Sequence, residues 1–311
     1  MPGMLKRPIL VTGIHRSGTT WVGKMLTAGS QLAYISEPLN KLHRPGVMRA
    51  PVKFWYTYIN QKNEDEYLPA LRETLRFRYH AWLELKSLRS FKDTGRMARD
   101  ASIFLRGWWT GQRPLLKDPF AVFSALWFAQ RLDCQVVITV RHPAAFASSL
   151  KRLNWPFDFQ DLLDQPLLMD DWLEPFRAAM EAMLNSPQDV LSQAALLWRM
   201  VYQVAVQFCR QRPDFILVRH EDLSASPVEG FRALYERLSL DFSPRVEQAI
   251  LASSSAENPK ELSRRAVHSV RLDSQANLNN WKRRLDQDEV RRIRSLTEEI
   301  AVQYYPEISW E

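Results

Sequence analysis

Residues Ile9–Trp21, ILVTGIHRSGTTW, constrain this chain more than any other stretch. The apolar run Ile9-Leu10-Val11 leads to Gly13; four loop residues follow, then Gly18 and an amphipathic run from Thr19 to Leu26. A buried strand, a glycine-bounded loop and a helix in that order present backbone N–H groups and a helix N-terminus to a phosphate. The two glycines have the spacing of nucleotide-binding loops that continue with a lysine, which grips the β- and γ-phosphates of a triphosphate. Here Thr19 stands in the lysine's place, and the cation within the loop is Arg16. The segment predicts a phosphate site without a triphosphate clamp.

Beyond it, strands and helices alternate. Leu32–Ile35 reads as a second strand running into Ser36-Glu37-Pro38-Leu39. Residues 41–113 then break the rhythm with a Pro45-Gly46 turn, an aromatic cluster from Phe54 to Tyr58, and helical periodicity over 64–89. This stretch is expected to be a helical insertion over the site, of the kind that forms substrate lids. A short buried strand at 114–119 and a helix at about 121–131 follow. The β-branched run Gln135–Val140 lacks alternation, so it is a strand buried on both faces. A helix begins at Pro143, residues 156–213 read as helical, and 215–219 is a further strand. Helices near 227–239, 244–253 and 287–303 complete the chain. The pattern predicts a parallel sheet with right-handed crossovers, whose ligands sit at the strands' carboxyl ends. Glu37, Lys117, Arg141 and His220 all fall just after a strand.

At 311 residues the chain reads as one domain, 1–311. The excess of 42 Lys+Arg over 35 Asp+Glu suits an anionic ligand, but charge alone names no partner, and none is expected from nucleic acid. Cys134 and Cys209 sit in apolar contexts without metal spacing, which reads as buried thiols in a reducing compartment. The start, MPGMLKR, leaves no room for a signal peptide or anchor, and Ala194–Cys209 is interrupted by Arg199 and two Gln. A cytoplasmic protein without a transmembrane segment is expected.

Arg16-Ser17-Gly18-Thr19-Thr20-Trp21 resembles the 5′-phosphosulfate loop of the sulfotransferases that use 3′-phosphoadenosine-5′-phosphosulfate (PAPS). The resemblance implies an α/β, P-loop-like three-layer fold: a central parallel β-sheet flanked by helices, with the helical insertion over the site. It also implies roles. His15 to Thr20 would hold the 5′-phosphate, through backbone N–H groups and the Ser17, Thr19 and Thr20 hydroxyls. Arg141 and, eight residues on, Ser149 would hold the 3′-phosphate, with Ser148 as the alternative hydroxyl. Lys117, 24 residues before Arg141, would contact the bridging oxygen. Lys117-Asp118-Pro119-Phe120 is similar to the tyrosylprotein branch, while Glu37-Pro38-Leu39 is similar to the carbohydrate branch.

Pro119 stands where the phenol and steroid enzymes keep a basic histidine, so the resemblance passes the role of general base to Glu37. His15, His43 and His142 are the other candidates. Trp21 would stack on adenine or pack the helix on the sheet, and His220, in Arg219-His220-Glu221-Asp222-Leu223, would bond the base or serve structure. Trp281, Lys282 and Arg283 are the counterpart of the family's C-terminal nucleotide wrap, without its glycines.

The expected reaction is transfer of a sulfonate group from PAPS to an acceptor hydroxyl, leaving 3′-phosphoadenosine-5′-phosphate (PAP) and needing no metal. Arg16 and Lys117 would neutralise charge as the bond to the donor breaks. A saccharide or glycan acceptor follows from Glu37-Pro38-Leu39 and from Trp55, Tyr56, Tyr58, Trp82, Trp108 and Trp109 in the insertion, with a hydrophobic alcohol or lipid-linked glycan as alternatives. The rivals are a P-loop kinase using ATP and Mg²⁺ on a small molecule, and a nucleotide- or partner-binding module without turnover.

Overall fold

The computed structural model describes residues 7–42, 44–185, 189–261, 270–305, 307 and 309–310. Its strands are β1 (Ile9–Gly13), β2 (Leu32–Ser36), β3 (Arg113–Lys117), β4 (Gln135–Val140) and β5 (Ile216–Arg219). They form a parallel sheet in the order β2-β3-β1-β4-β5. The chain leaves β1 towards β2 but enters β4 on the other side, so β1 and β4 flank the point where strand order reverses. Their carboxyl ends are level, with Gly13 opposite Thr139, and Ser36 is opposite Lys117. That is where an open α/β sheet offers a crevice.

Strand alternation divides the interior into two cores. Ile9, Val11, Leu115 and Val137 pack with Trp21, Met25, Phe231 and Ile250 on one face. Leu10, Leu116, Val136 and Ile138 pack on the other with the helices Pro143–Leu153, Val190–Gln211 and Gln287–Tyr304. Three layers result, as the pattern of buried strands and amphipathic helices predicts.

The long helix Val190–Gln211 also repairs the end of β4. Tyr202 donates its hydroxyl hydrogen to the Thr139 carbonyl at 2.8 Å, and the Trp198 indole N–H donates to the Arg141 carbonyl at 2.8 Å. Both carbonyls lie where the ladder stops, and buried carbonyls without partners are costly.

Some boundaries differ from expectation. The periodic stretch 64–89 breaks into Glu64–Leu75 and Ala81–Ser87, because Phe77 takes a left-handed turn (φ 57°) between them. A third helix of the insertion, Phe91–Thr110, runs back to β3. The helix expected at 121–131 opens as a 3-10 turn over Pro119–Ser124 before Ala125–Leu132. Cys134 is buried, but Cys209 only half-buried, and both are free thiols. No helix among the described residues is long and apolar enough to cross a membrane.

His142 caps the helix Pro143–Leu153. Its Nδ1 accepts the Ala144 N–H at 3.2 Å, Nε2 lies 3.1 Å from the Ser309 carbonyl, and the ring stacks on Trp281 at 5.1 Å. Burial lowers its pKa from 6.5 to about 4. The folded protein binds this proton more weakly than the unfolded chain, so stability is lost as pH falls from about 6.5 towards 4. His142→Asn keeps a capping acceptor and removes the titration. Its unfolding free energy in urea should fall less between about pH 7 and pH 5 than the wild type's, by roughly 1–2 kcal/mol.

Candidate active site at the carboxyl edge of the sheet

The glycine loop lies directly on β4. A Cβ on Gly13, whose φ is 138°, would stand 2.3 Å from the Thr139 carbonyl oxygen, so only glycine permits the approach. Ser17 fixes the loop from beneath: its hydroxyl donates to the Ile14 carbonyl at 2.5 Å and lies 2.7 Å from Thr139 Oγ1. This corrects the expectation for Ser17, whose fully buried hydroxyl faces the sheet and not the cavity. Gly18, at φ 99°, ends the loop, and the first bond of the following helix runs from Val22 N–H to its carbonyl at 3.0 Å. The N–H groups of Thr19, Thr20 and Trp21 precede that bond, so no carbonyl of the helix accepts from them. Thr19 and Thr20 both line the cavity in front of the loop.

That cavity has a volume of about 530 Å³. One end is strongly cationic: Arg16, Arg141, Arg152 and Arg284 line it together with Ser149. Arg16 Nε donates to Ser149 Oγ at 3.2 Å, and Arg141 donates to the Arg16 carbonyl at 3.2 Å. Burial, then repulsion from Arg141, Arg152 and Arg284, lowers the Arg16 pKa to about 10. Arg141 is also lowered by burial, and its Nε has no hydrogen-bond partner among the described residues. A carboxylate, Glu261, meets Arg284 at 2.7 Å and Arg152 at 3.4 Å. Of the two candidate hydroxyls, Ser149 reaches the cavity, whereas buried Ser148 receives Arg284 at 3.4 Å.

Glu37 follows β2 in a left-handed conformation (φ 51°), its N–H bonded to the Lys117 carbonyl at 2.8 Å. Its carboxylate lines the cavity, pairs with the Lys117 ammonium and accepts from Asn40 at 2.6 Å. Lys117 is 2% exposed, so an anionic partner is what makes its burial tolerable. Behind them Asp118 accepts the N–H groups of Leu39 at 2.6 Å and Phe120 at 3.0 Å, tying the turns after β2 and β3 together. Burial and then nearby Glu37 raise its pKa to about 7.

The histidines divide. His15 lines the cavity with Nδ1 2.5 Å from the Tyr56 hydroxyl, and burial followed by Arg16 lowers its pKa to about 3. His142 is engaged in capping and stacking, and His43 lies outside the described residues. His220 lines the cavity edge-on to Trp21 at 5.7 Å, held neutral by burial. Trp21 lines it too, but its indole N–H is taken by Ser253 at 2.9 Å and its ring packs on Phe231.

Two expectations change. Trp281 packs inside against His142, while Lys282 and Arg283 are exposed, so this triplet does not line the cavity; Asn277, Asn280 and Arg284 do. Of the segment near 264–283 that the resemblance places over the nucleotide, residues 264–269 lie outside the described residues. Within the insertion, Leu42 and Trp55 reach the cavity, Tyr56 and Tyr58 are core, and Trp82, Trp108 and Trp109 face solvent. Trp155, Pro156 and Phe157 form apolar wall that sequence reasoning missed. Arg152 was also missed, although it follows Ser149 by one helical turn on the same helix.

The cavity thus combines four arginines, aromatic side chains and a glycine loop at the carboxyl edge of a parallel α/β sheet. Residues 8–244 match the profile described as the sulfotransferase family. The chain belongs to that family. Over 176 residues it is 26% identical to mouse carbohydrate sulfotransferase 3, a match taking in 55% of this chain and 31% of that protein, so the chain spans about a third of this relative. The sulfotransferase domain from the curacin biosynthetic pathway is similar over 94% of this chain and 98% of its own, at 16% identity and a TM-score of 0.49. Mouse sulfotransferase SULT7A1 complexed with PAP is similar over 96% of this chain and 84% of its own, at 12% identity and a TM-score of 0.40.

Gly13→Ala should cost roughly 2–4 kcal/mol of stability, since both the φ and the Thr139 carbonyl oppose a side chain. Urea denaturation checks this; a loss below about 0.5 kcal/mol would mean that the loop does not lie on β4 as described.

Proposed function

We propose that this sulfotransferase-family protein moves a sulfonate group from PAPS to an acceptor hydroxyl of a saccharide or glycan. The observation that carries the reading is a shared cavity: Thr19–Trp21, the first turn of the helix after the loop, and the arginines around Arg141 line the same space. The unpartnered Arg141 Nε and the mutual repulsion felt by Arg16 both favour a multiply charged anion between them.

In this reading the loop amides, with Thr19 and Thr20, hold the 5′-phosphosulfate end. Arg141 and Ser149 hold the 3′-phosphate, with Arg152 and Arg284 adding charge beside them. Trp21 and His220 flank the adenine. When bound, the donor supplies an electrophilic sulfur, whose bond to the bridging oxygen breaks as the acceptor oxygen bonds to it, the electron pair leaving with the 5′-phosphate. Glu37 accepts the acceptor's hydroxyl proton, and in the absence of ligand its carboxylate is kept in position by Lys117 and Asn40. Arg16 and Lys117 offset negative charge on the departing oxygen.

His15 is kept as a neutral wall residue by its Tyr56 contact and low pKa, and not as the base. The aromatic lining residues Trp55, Phe120, Trp155 and Phe157 suit the C–H faces of a sugar ring. The partial likeness to a carbohydrate sulfotransferase supports the same acceptor class.

Calorimetry should find PAP binding and no comparable binding of ATP with Mg²⁺; the reverse preference would favour a kinase. With donor present, an acceptor screen should detect products heavier by one sulfonate group. Arg141→Ala should weaken PAP roughly 30- to 100-fold while changing affinity for the 3′-dephospho nucleotide by less than about threefold. Equal weakening of both would remove Arg141 from the 3′-phosphate. Glu37→Gln should lower kcat by about 100-fold or more and leave PAP affinity nearly unchanged; retained turnover would pass the base role elsewhere.

A further inference from the structure

We propose that the insertion helices Ala81–Ser87 and Phe91–Thr110 form a docking face for an anionic lipid bilayer. The proposal is independent of the reaction assigned to the cavity.

The observation is a set of large apolar side chains exposed on these two helices. Phe91 is 97% exposed, Trp109 80%, and Trp82 and Trp108 66% each, with Leu85 and Leu105 also exposed. Such a patch on a folded surface marks a partner. The charges of the same helices are sorted by direction. In residues 81–110 there are six bases and three acids. Glu84 and Asp100 are buried, Glu84 accepting the Gly46 N–H at 2.8 Å and Asp100 pairing with Arg44. Asp93 is largely covered and pairs with Arg96. The bases Lys86, Arg89, Lys92, Arg96, Arg99 and Arg106 are all exposed.

Periodicity orders this further. At about 100° per residue, positions seven apart share a line along a helix. Phe91, Ala98 and Leu105 form one such line, extended by Trp109; Lys92, Arg99 and Arg106 form the next; Asp93, Asp100 and Gly107 form the third, turned to the protein. An apolar ridge bordered along one side by bases, with tryptophans at its end, is a pattern of a helix lying in a membrane interface. Lys86 sits over the Trp82 ring at 5.2 Å, so ring and cation present together.

A second copy of this chain is the weaker occupant. A two-fold contact sets the patch against itself and brings like bases together. A bilayer bearing anionic headgroups meets the charge and, being fluid, accepts a convex ridge without a matching groove. Gly46, four residues after the cavity-lining Leu42 in sequence, accepts the His80 N–H at 2.9 Å, directly before the helix Ala81–Ser87.

The test is co-sedimentation of the full chain with vesicles of phosphatidylcholine alone and of phosphatidylcholine with phosphatidylglycerol. Binding is expected to the anionic vesicles, to fall in high salt, and to be weak on the neutral ones. Leu105→Ser with Trp109→Ser, and separately Arg89→Gln with Lys92→Gln, should each lower anionic-vesicle binding by roughly tenfold or more. All four positions are exposed, so thermal unfolding should be unchanged, and PAP calorimetry on the same variants keeps this test apart from the donor reading. No binding to anionic vesicles, equal binding to both kinds, or no loss in either variant would overturn the proposal. So would a wild-type dimer in light scattering that the Leu105→Ser/Trp109→Ser substitutions make monomeric, because the face would then belong to a second copy.

Discussion

The site depends on the contact between Gly13 and the Thr139 carbonyl. Because no side chain fits there, the loop after β1 lies against the end of β4. The residues that leave β4, Arg141 and its helix, are thereby brought to the same crevice. Ser17, Thr139 and Tyr202 hold the contact from the protein side with hydroxyl bonds at 2.5–2.8 Å. Hydroxyls used in this way are unavailable to a ligand, whereas Thr19 and Thr20 line the cavity.

Charge is the second organising feature. Burial disfavours the charged guanidiniums gathered in this cavity, and their mutual repulsion adds to it, hence the lowered pKa of Arg16 and Arg141. Glu261 offsets part of this in the absence of ligand by pairing with Arg284 and Arg152, and Glu37 separately pairs with Lys117. The pKa values of the histidines nearby are lowered in the same way, which leaves these rings neutral: burial leads, and adjacent arginines add to it. Two residues at the site, Arg16 and Glu37, hold left-handed backbone that non-glycine residues adopt at a cost of about 1–3 kcal/mol. The surrounding packing sustains that strain at the positions where a charged side chain must turn towards the cavity.

Much of this was legible in the chain. The strands are continuous apolar runs because both faces of a parallel sheet are covered, and such runs stand out from amphipathic helices. The loop was legible because its glycines serve a local backbone need. Lys117, Arg141 and Glu37 were legible because each directly follows a strand, and strand ends in such a sheet converge. The misreadings lie elsewhere. Periodicity carried one helix across 76–80, since nothing local forbids Phe77 a helical φ. The aromatic residues of the insertion looked alike in sequence, yet Trp55 faces the cavity, Tyr56 the core and Trp109 the solvent.

By itself, then, the chain determined its elements, their parallel order of β and α units, and the glycine-bounded loop after the first strand, because these follow from short-range sterics and local hydrophobic period. The tertiary structure decided which side chains turn inward. Ser17 was taken from the cavity by Thr139, Trp281 by His142, and their places are filled by Thr20, Asn280 and Arg284. Those outcomes rest on contacts between segments more than a hundred residues apart, and the direction a side chain takes there is set by the space its distant neighbours leave.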